Sequence, residues 1–526
     1  VSVEGKGGVD RWRILGGDAM RGGGAAMVLR DPAQPAVEHI YVGLYERVVA
    51  VTTNGEVLWN RPTGLESAPI PPGNLDPATF GVNYVPKFDA VVGLTQDGFV
   101  YVHDRASGEA LLSEPFQLPG ERSPAATPIF PSDLLDDLRE RLREYVEVPE
   151  EADPALLLSV LLGNDVEVAN FFAVDPDRSR LWVAATAPDE DDGKPDGVSE
   201  LGALYRLDLS SKGSGLGLTV GCYISFEGGS ASTPAVRADG ERIYVGDSSG
   251  RLIAVGPDCE RVWERDVQSQ ILGSVAVSSD NQELYVSTVS RIIKLFDRGS
   301  ESDLAWETEI DAFIPERAET NLNLNLVSIG ANALAFQAGV GLLFDGVALP
   351  RDVAVGLLDR ETGELRQLAR GLDETVSVVS IGPVGEVYIG NSPIRRMLQQ
   401  LVSASTGATA GPAIRGGVSK FGRTNLDELL IDVACVARDR ALNAQSNETA
   451  GTCPESVAAD LVQLEQLIAQ ARGAGPEAVE AGDITVTQWS GLQSVLNRAE
   501  SEMRAGDLQS AADAFGTAVL VLTPEP

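Results

Sequence analysis

Two stretches nearly two hundred residues apart say almost the same thing. Residues 39–60 read HIYVGLYERVVAVTTNGEVLWN and residues 242–264 read RIYVGDSSGRLIAVGPDCERVWE. Ile40-Tyr41-Val42-Gly43 falls on Ile243-Tyr244-Val245-Gly246, Ala50-Val51 on Ala254-Val255 and, after a one-residue slip, Trp59 on Trp263. A third copy, ELYVSTVSRIIKLFDRGSESDLAWE, follows at 283–307, with Tyr244 and Tyr285 about 40 residues apart. Fainter copies begin at Ala90, Arg180, Asp352 and Glu386. Each has one grammar: a β-branched and aromatic run, a tight turn, a second alternating run ending near Asp, another turn such as TNG, ASG or ETG, and a last run that often carries Trp. Alternation of period two between such turns spells antiparallel hairpins. A unit of about four strands recurring every 40 to 50 residues cannot bury both its faces alone, so the units must stack around an axis as propeller blades.

The expected fold class is therefore mainly β: a seven-bladed β-propeller over 1–425, with a helical insertion at 131–163 and a C-terminal α-helical domain over 426–526. Splitting 320–371 in two gives an eight-bladed alternative. The N-terminal VDRWRILGG (9–17) reads as a last-strand phrase in which Trp12 matches Trp59; pairing it with the final blade would close the ring and remove an open edge.

These phrases resemble the pyrroloquinoline-quinone-like repeat family, whose units run from a strand ending in YVGS through DG, A-L-D and TG to a strand ending in Trp. The resemblance spans most of 15–425 and is closest in the units ending at Trp59, Trp263 and Trp306. It implies that these tryptophans, with Trp12, brace blade against blade. It also raises a quinone-dependent dehydrogenase as an alternative function, because the family includes such enzymes. They need a Trp face under the cofactor, oxygen ligands on Ca²⁺ and an Asp base near the central channel. The disulfide between neighbouring cysteines that marks them is missing here, and no cofactor-binding or catalytic residue can be assigned.

The insertion carries PSDLLDDLRERLREYVEVPEEADPALLLSVLLGND, with Leu134, Leu138, Leu142 and Tyr145 on one helical face, Ser132 as a cap and arginines late in the helix. It reads either as a lid over a blade edge or as a partner-binding element. After Asn425 four amphipathic stretches follow (426–442, 453–472, 487–506 and 507–522), the last pair weakly resembling a single tetratricopeptide unit.

The chain has 526 residues, 43% of them hydrophobic, and a formal net charge of −36. That field repels phosphate backbones and argues against nucleic acid as a partner. No window supplies the ~18 apolar residues of a membrane helix. Cys222, Cys259, Cys435 and Cys453 are even in number and lack a metal spacing, so two local disulfides, Cys222–Cys259 and Cys435–Cys453, are expected in an oxidising compartment; buried thiols are the other reading. The VSVEGKGG start, with neither Met nor a basic–apolar leader, suits a secreted, periplasmic or cell-surface protein after signal-peptide removal.

Chemistry is sparsely provided for. His39 and His103 both fall in expected strands, and no nucleophile motif accompanies either. The acidic loop APDEDDGKPDGVSE (187–200) places Glu190, Asp192 and Asp196 around Gly193 as Ca²⁺ ligands, but Pro188 holds the first ligand position; a solvated hairpin tip is the alternative. The expected function is a non-catalytic scaffold that meets protein partners through its propeller face and helical elements. A structural subunit of a cell-surface assembly is the third reading.

Overall fold

The computed structural model describes residues 26–66, 79–120, 168–310 and 320–370 apart from short gaps, and parts of 2–12, 379–421 and 472–504. The insertion at 131–163, Cys435 and Cys453, and most of the C-terminal helical stretches lie outside the described residues. The chain divides into two compact units: Trp12–Arg370 with Met397–Thr409, and Val1–Arg11 with Gly371–Arg396 and Ala410–Pro526.

The larger unit holds six four-stranded antiparallel sheets in chain order, over 27–62, 79–117, 173–227, 235–266, 275–309 and 320–370, here called sheets one to six. In every sheet the strands neighbour one another in sequence order, as consecutive hairpins require. From sheet two through sheet six, the first strand of each sheet touches the first strand of the next. Radially stacked blades meet in this way, along their innermost strands. Residues 320–370 form one sheet of four strands, Thr320–Ile329, Ala333–Phe344, Val347–Asp359 and Leu365–Arg370, so the division of this segment that an eighth blade would need is not found.

In the smaller unit, Ser380–Ile381, Val387–Asn391 and Gly417–Phe421 make a three-stranded sheet. Asp10–Trp12 forms a two-stranded sheet with Ser2–Val3, and the rest of the 9–17 phrase expected to complete the last blade lies outside the described residues. Helix α1, Val486–Arg504, covers the third of the expected C-terminal helices. Leu492 and Leu496, one turn apart, are fully buried, and Arg472 reaches Glu500 at 2.5 Å.

Three junctions, one to two, four to five and five to six, share a clasp. A tryptophan in the last strand points into the turn between strands three and four of the following sheet. Trp59 Nε1 donates to Arg105 O at 3.1 Å, Trp263 Nε1 to Asp297 Oδ1 at 3.1 Å and Trp306 Nε1 to Arg360 O at 3.4 Å. Each indole also tilts against the tyrosine of its own second strand, with centroids 5.9 to 6.1 Å apart for Tyr41–Trp59, Tyr244–Trp263 and Tyr285–Trp306. Their placement is set by register. Trp59 faces Ala50, Trp263 faces Ala254 and Trp306 faces Lys294, each directly before a β-bulge that twists the strand pair. Receiving turns supply glycines in the left-handed region, Gly108 (φ +72) and Gly363 (φ +75), because a Cβ at either would come within 2.7 Å of an indole.

Ion pairs stand beside these junctions, within sheet two and sheet five and, through Glu283–Arg360, between sheets five and six. Arg105, whose side chain is 5% exposed, pairs with Asp89 at 2.5 Å, and that partnership holds the Asp89 carboxyl below its ordinary range. Glu283 takes Lys294 and Arg360, both at 2.6 Å. Burial pushes the Glu283 carboxyl up, but hydrogen bonds from the two cations outweigh it and the net shift is downward. Between sheets three and four no tryptophan serves; Cys222 and Cys259 are joined by a disulfide instead.

Candidate functional site

Antiparallel order gives every blade two unlike ends. The one-to-two and three-to-four turns gather at the end where the tryptophan clasps close. The two-to-three turns and the links to the next sheet gather at the opposite, connecting end.

That connecting end is braced from turn to turn. Tyr45 Oη, in the two-to-three turn of sheet one, donates to Asp97 Oδ2 of sheet two at 2.7 Å, and Thr63 Oγ1 donates to Tyr45 O at 2.7 Å. Asp97 is buried and also receives the Thr95 hydroxyl at 2.6 Å. In sheet four, fully buried Asp247 accepts from Arg251 N at 2.7 Å, Arg251 Nε at 3.1 Å and Ser249 Oγ at 2.8 Å. Its turn also anchors the outgoing link to sheet five through Val267 N to Gly250 O at 2.8 Å. Aspartates that cap their own turns in this way fix loop backbone without regular structure.

Three excursions leave this end. The first runs between Leu118 and Val168 and contains the expected helical insertion. Leu118 N donates to Gly98 O at 2.9 Å and Val168 N to Gln96 O at 3.0 Å, so it departs from and returns to a single turn. The second is the acidic loop. Asp189–Asp192 forms a short 3₁₀ turn closed by Gly193 at φ +77, and Asp192 Oδ1 accepts Lys194 N at 2.7 Å. Asp191, which the calcium pattern passed over, ties the loop down by accepting from Tyr223 Oη at 3.2 Å and from Ser225 Oγ. Asp196 lies outside the described residues, and among the described residues no three His, Cys, Asp or Glu side chains converge as a metal site would require. The third is the hairpin of sheet six. Its pairing continues from the bulge at Leu357/Leu358 out to Phe344↔Val347, whereas sheet four ends at Gly246↔Leu252.

His103 is built into the framework. His103 is 1% exposed, with Nδ1 2.9 Å from Gly108 O, and desolvation holds its pKa below the ordinary value. A cavity of about 170 Å³ beside it is lined by Pro62, Gly64, Leu112 and Pro115. It is well under the ~300 Å³ at which small-molecule sites begin. No described helix is long and apolar enough to cross a membrane.

No protein-family model matches the chain, and no curated protein does. Among solved structures it is similar to the Cps50 (Swd1) β-propeller domain of Myceliophteria thermophila, at 10% identity over 71% of this chain and 94% of that one, with a TM-score of 0.40. It is also similar to BamB of Moraxella catarrhalis, at 11% identity over 70% and 94% of the two chains, with a TM-score of 0.38.

Proposed function

We propose that the chain is a non-catalytic, exported interaction module: a seven-bladed propeller whose connecting end receives protein partners. The observation that carries this reading is the asymmetry between the two ends. One end is spent on holding blades together by indole, glycine and ion pair. The other carries, among the described residues, three long excursions, the first of them anchored on the turn that buried Asp97 braces. Loops displayed from a rigid scaffold are where binding residues concentrate. The blade count rests on the six four-stranded sheets and on taking the three-stranded sheet as a seventh, incomplete blade. Export is supported by the disulfide, since such bonds persist in oxidising compartments.

The shared anchorage of Leu118 and Val168 makes the first excursion removable. Replacing 121–167 by a short glycine–serine bridge should leave the strand signal and melting cooperativity of the ring intact. Cross-linked capture from native source material should then lose partner chains that the intact protein retains. Identical capture by both forms would refute the reading. So would dye-linked oxidation of alcohols or sugars by the intact protein supplied with the quinone and Ca²⁺.

A further inference from the structure

Sheets three and four depart from their neighbours at two positions at once. Cys222 stands in the last strand of sheet three opposite Arg206, directly before a bulge, which is the register of Trp59, Trp263 and Trp306 in their own sheets. Cys259 stands in the receiving turn of sheet four with φ +63, the left-handed conformation that Gly108 and Gly363 adopt beneath Trp59 and Trp306. Both halves of the clasp, the indole and the glycine under it, are thus exchanged for cysteine. A third change accompanies them: Trp182 takes the second-strand place of Tyr41, Tyr244 and Tyr285, and it packs in one cluster with Cys222 and Cys259.

A residue with a Cβ is disfavoured in the left-handed region, and Cys259 is held to sheet three by the disulfide and by its packing in the cluster around Trp182. Among the described residues, the hydrogen bonds that reach this turn from sheet three come from Arg206, to Pro257 O at 2.6 Å and Asp258 Oδ1 at 3.1 Å, while Gly256 N to Glu260 O at 2.9 Å closes it within its own sheet. Cys222 is half-buried and Cys259 is 8% exposed, so the bond sits at the rim of the seam rather than deep within it.

We propose that the seam between sheets three and four is redox-gated: a dithiol opens it locally, while the tryptophan-clasped seams stay shut. The dithiol's thiolate attacks one sulfur, the S–S bond breaks and a mixed disulfide forms. The reagent's second thiol then displaces the protein sulfur. Cys222 and Cys259 end as thiols, having gained two electrons and two protons, and the reagent ends as its own disulfide. Two thiols supply neither the area nor the N–H of an indole, so the turn at 256–260, closed on its own sheet, keeps only Arg206 and its packing near Trp182 as a hold on sheet three. Asp191 grips Tyr223 and Ser225, directly beyond Cys222 on the same strand, so the loosening passes to the acidic loop.

Hydrogen exchange on the full chain, with and without dithiothreitol, tests this, with reduction verified by alkylation of both cysteines. Amides of 255–263 should exchange severalfold faster after reduction, while those of 359–364, in the turn under Trp306, keep their rates. The double variant C222W/C259G restores the sister clasp and should not respond at 255–263. Cys435 and Cys453 meet the reagent equally in both proteins, so the difference belongs to this pair. Unchanged exchange at 255–263 in the reduced native chain would overturn the proposal, as would a rise shared by all sheets or an equal response from the variant. Should that variant not fold, C222S/C259S should show the faster exchange without reagent, and oxidised-native rates in it would count equally against the gate.

Discussion

Trp263 Nε1 donates to Asp297 Oδ1 at 3.1 Å, and by that bond sheet four holds sheet five. The Asp297 side chain is only 1% exposed and is the meeting point of four donors: it also accepts Tyr244 Oη at 2.6 Å, Gly299 N at 2.7 Å and Arg242 Nε at 3.3 Å. Burial and this carboxylate together push the Tyr244 hydroxyl pKa up, which keeps it a donor at any ordinary pH. Asp297→Ala strands an indole, a phenol and a guanidinium and should cost about 3 kcal/mol, because buried donors lose their acceptor and a cation its partner. Asp297→Asn keeps an acceptor and should cost less than half as much. Denaturant midpoints at unchanged slope measure both; equal losses would mean that Asp297 acts through its charge alone.

What could be read in the sequence follows from how local each signal is. The runs around Tyr41, Tyr244 and Tyr285 alternate, turn and end in Trp within some twenty residues, so their hairpins were legible without knowledge of the rest. The part played by Cys222 was not. Sheet three has strands of 12 and 13 residues, Leu201–Lys212 and Gly215–Glu227, which hide the spacing from turn to clasp. Only the bulge after Arg206 shows that Cys222 stands in a tryptophan's register. Asp191 was passed over for a similar reason: its partners Tyr223 and Ser225 lie more than thirty residues on, and a loop pattern contains no tertiary donors. Asp10–Trp12 reads as part of a last strand; its pairing with Ser2–Val3 closes a short loop, and short loops cost least to close.

Glycines of positive φ separate backbone strain from steric fit. Gly213, at φ +61, would place a new Cβ in open space, whereas at Gly108 the Cβ would come within 2.5 Å of the Trp59 indole. Gly213→Ala should therefore cost only the left-handed penalty, about 1 kcal/mol. Gly108→Ala adds overpacking against an aromatic ring and should cost about 3 kcal/mol in all. Thermal melts of the two variants side by side decide it, and similar losses would show that the indole can move aside.

Glu283 and Lys294 form an unequal pair. Glu283 serves two cations, Lys294 and Arg360, and also accepts Tyr285 Oη at 2.8 Å. Lys294, 5% exposed, has Glu283 and the carbonyl of Arg360. Lys294→Met leaves the carboxylate still paired with Arg360 and fills the volume, so it should cost about 1 kcal/mol or less. Glu283→Ala leaves two cations facing one another and should cost about 4 kcal/mol. A larger loss from the lysine variant would place the energy in its contact with the Arg360 carbonyl instead.

His103 gives the stability a pH dependence whose sign is fixed by geometry. Its Nδ1 faces the Gly108 carbonyl at 2.9 Å and so carries the single proton of the neutral ring. A second proton would have to sit on Nε2, which is buried without a hydrogen-bond partner. Desolvation thus lowers the folded pKa beneath the ~6.5 of an unfolded histidine. Between those two values the unfolded chain binds the extra proton and the folded chain does not, so unfolding becomes easier as pH falls. Stability should be flat just above neutrality and then drop, by at most about 1.4 kcal/mol per pH unit from this residue, as pH descends through 6.5 toward the folded pKa. His103→Gln keeps a donor for Gly108 O and does not titrate. Denaturant midpoints of the native chain and this variant, taken from pH 7.5 to 5.5, should diverge on the acid side, with the native curve falling more steeply. His39 is common to both and cancels, so parallel curves would show that the buried ring accepts its second proton without cost.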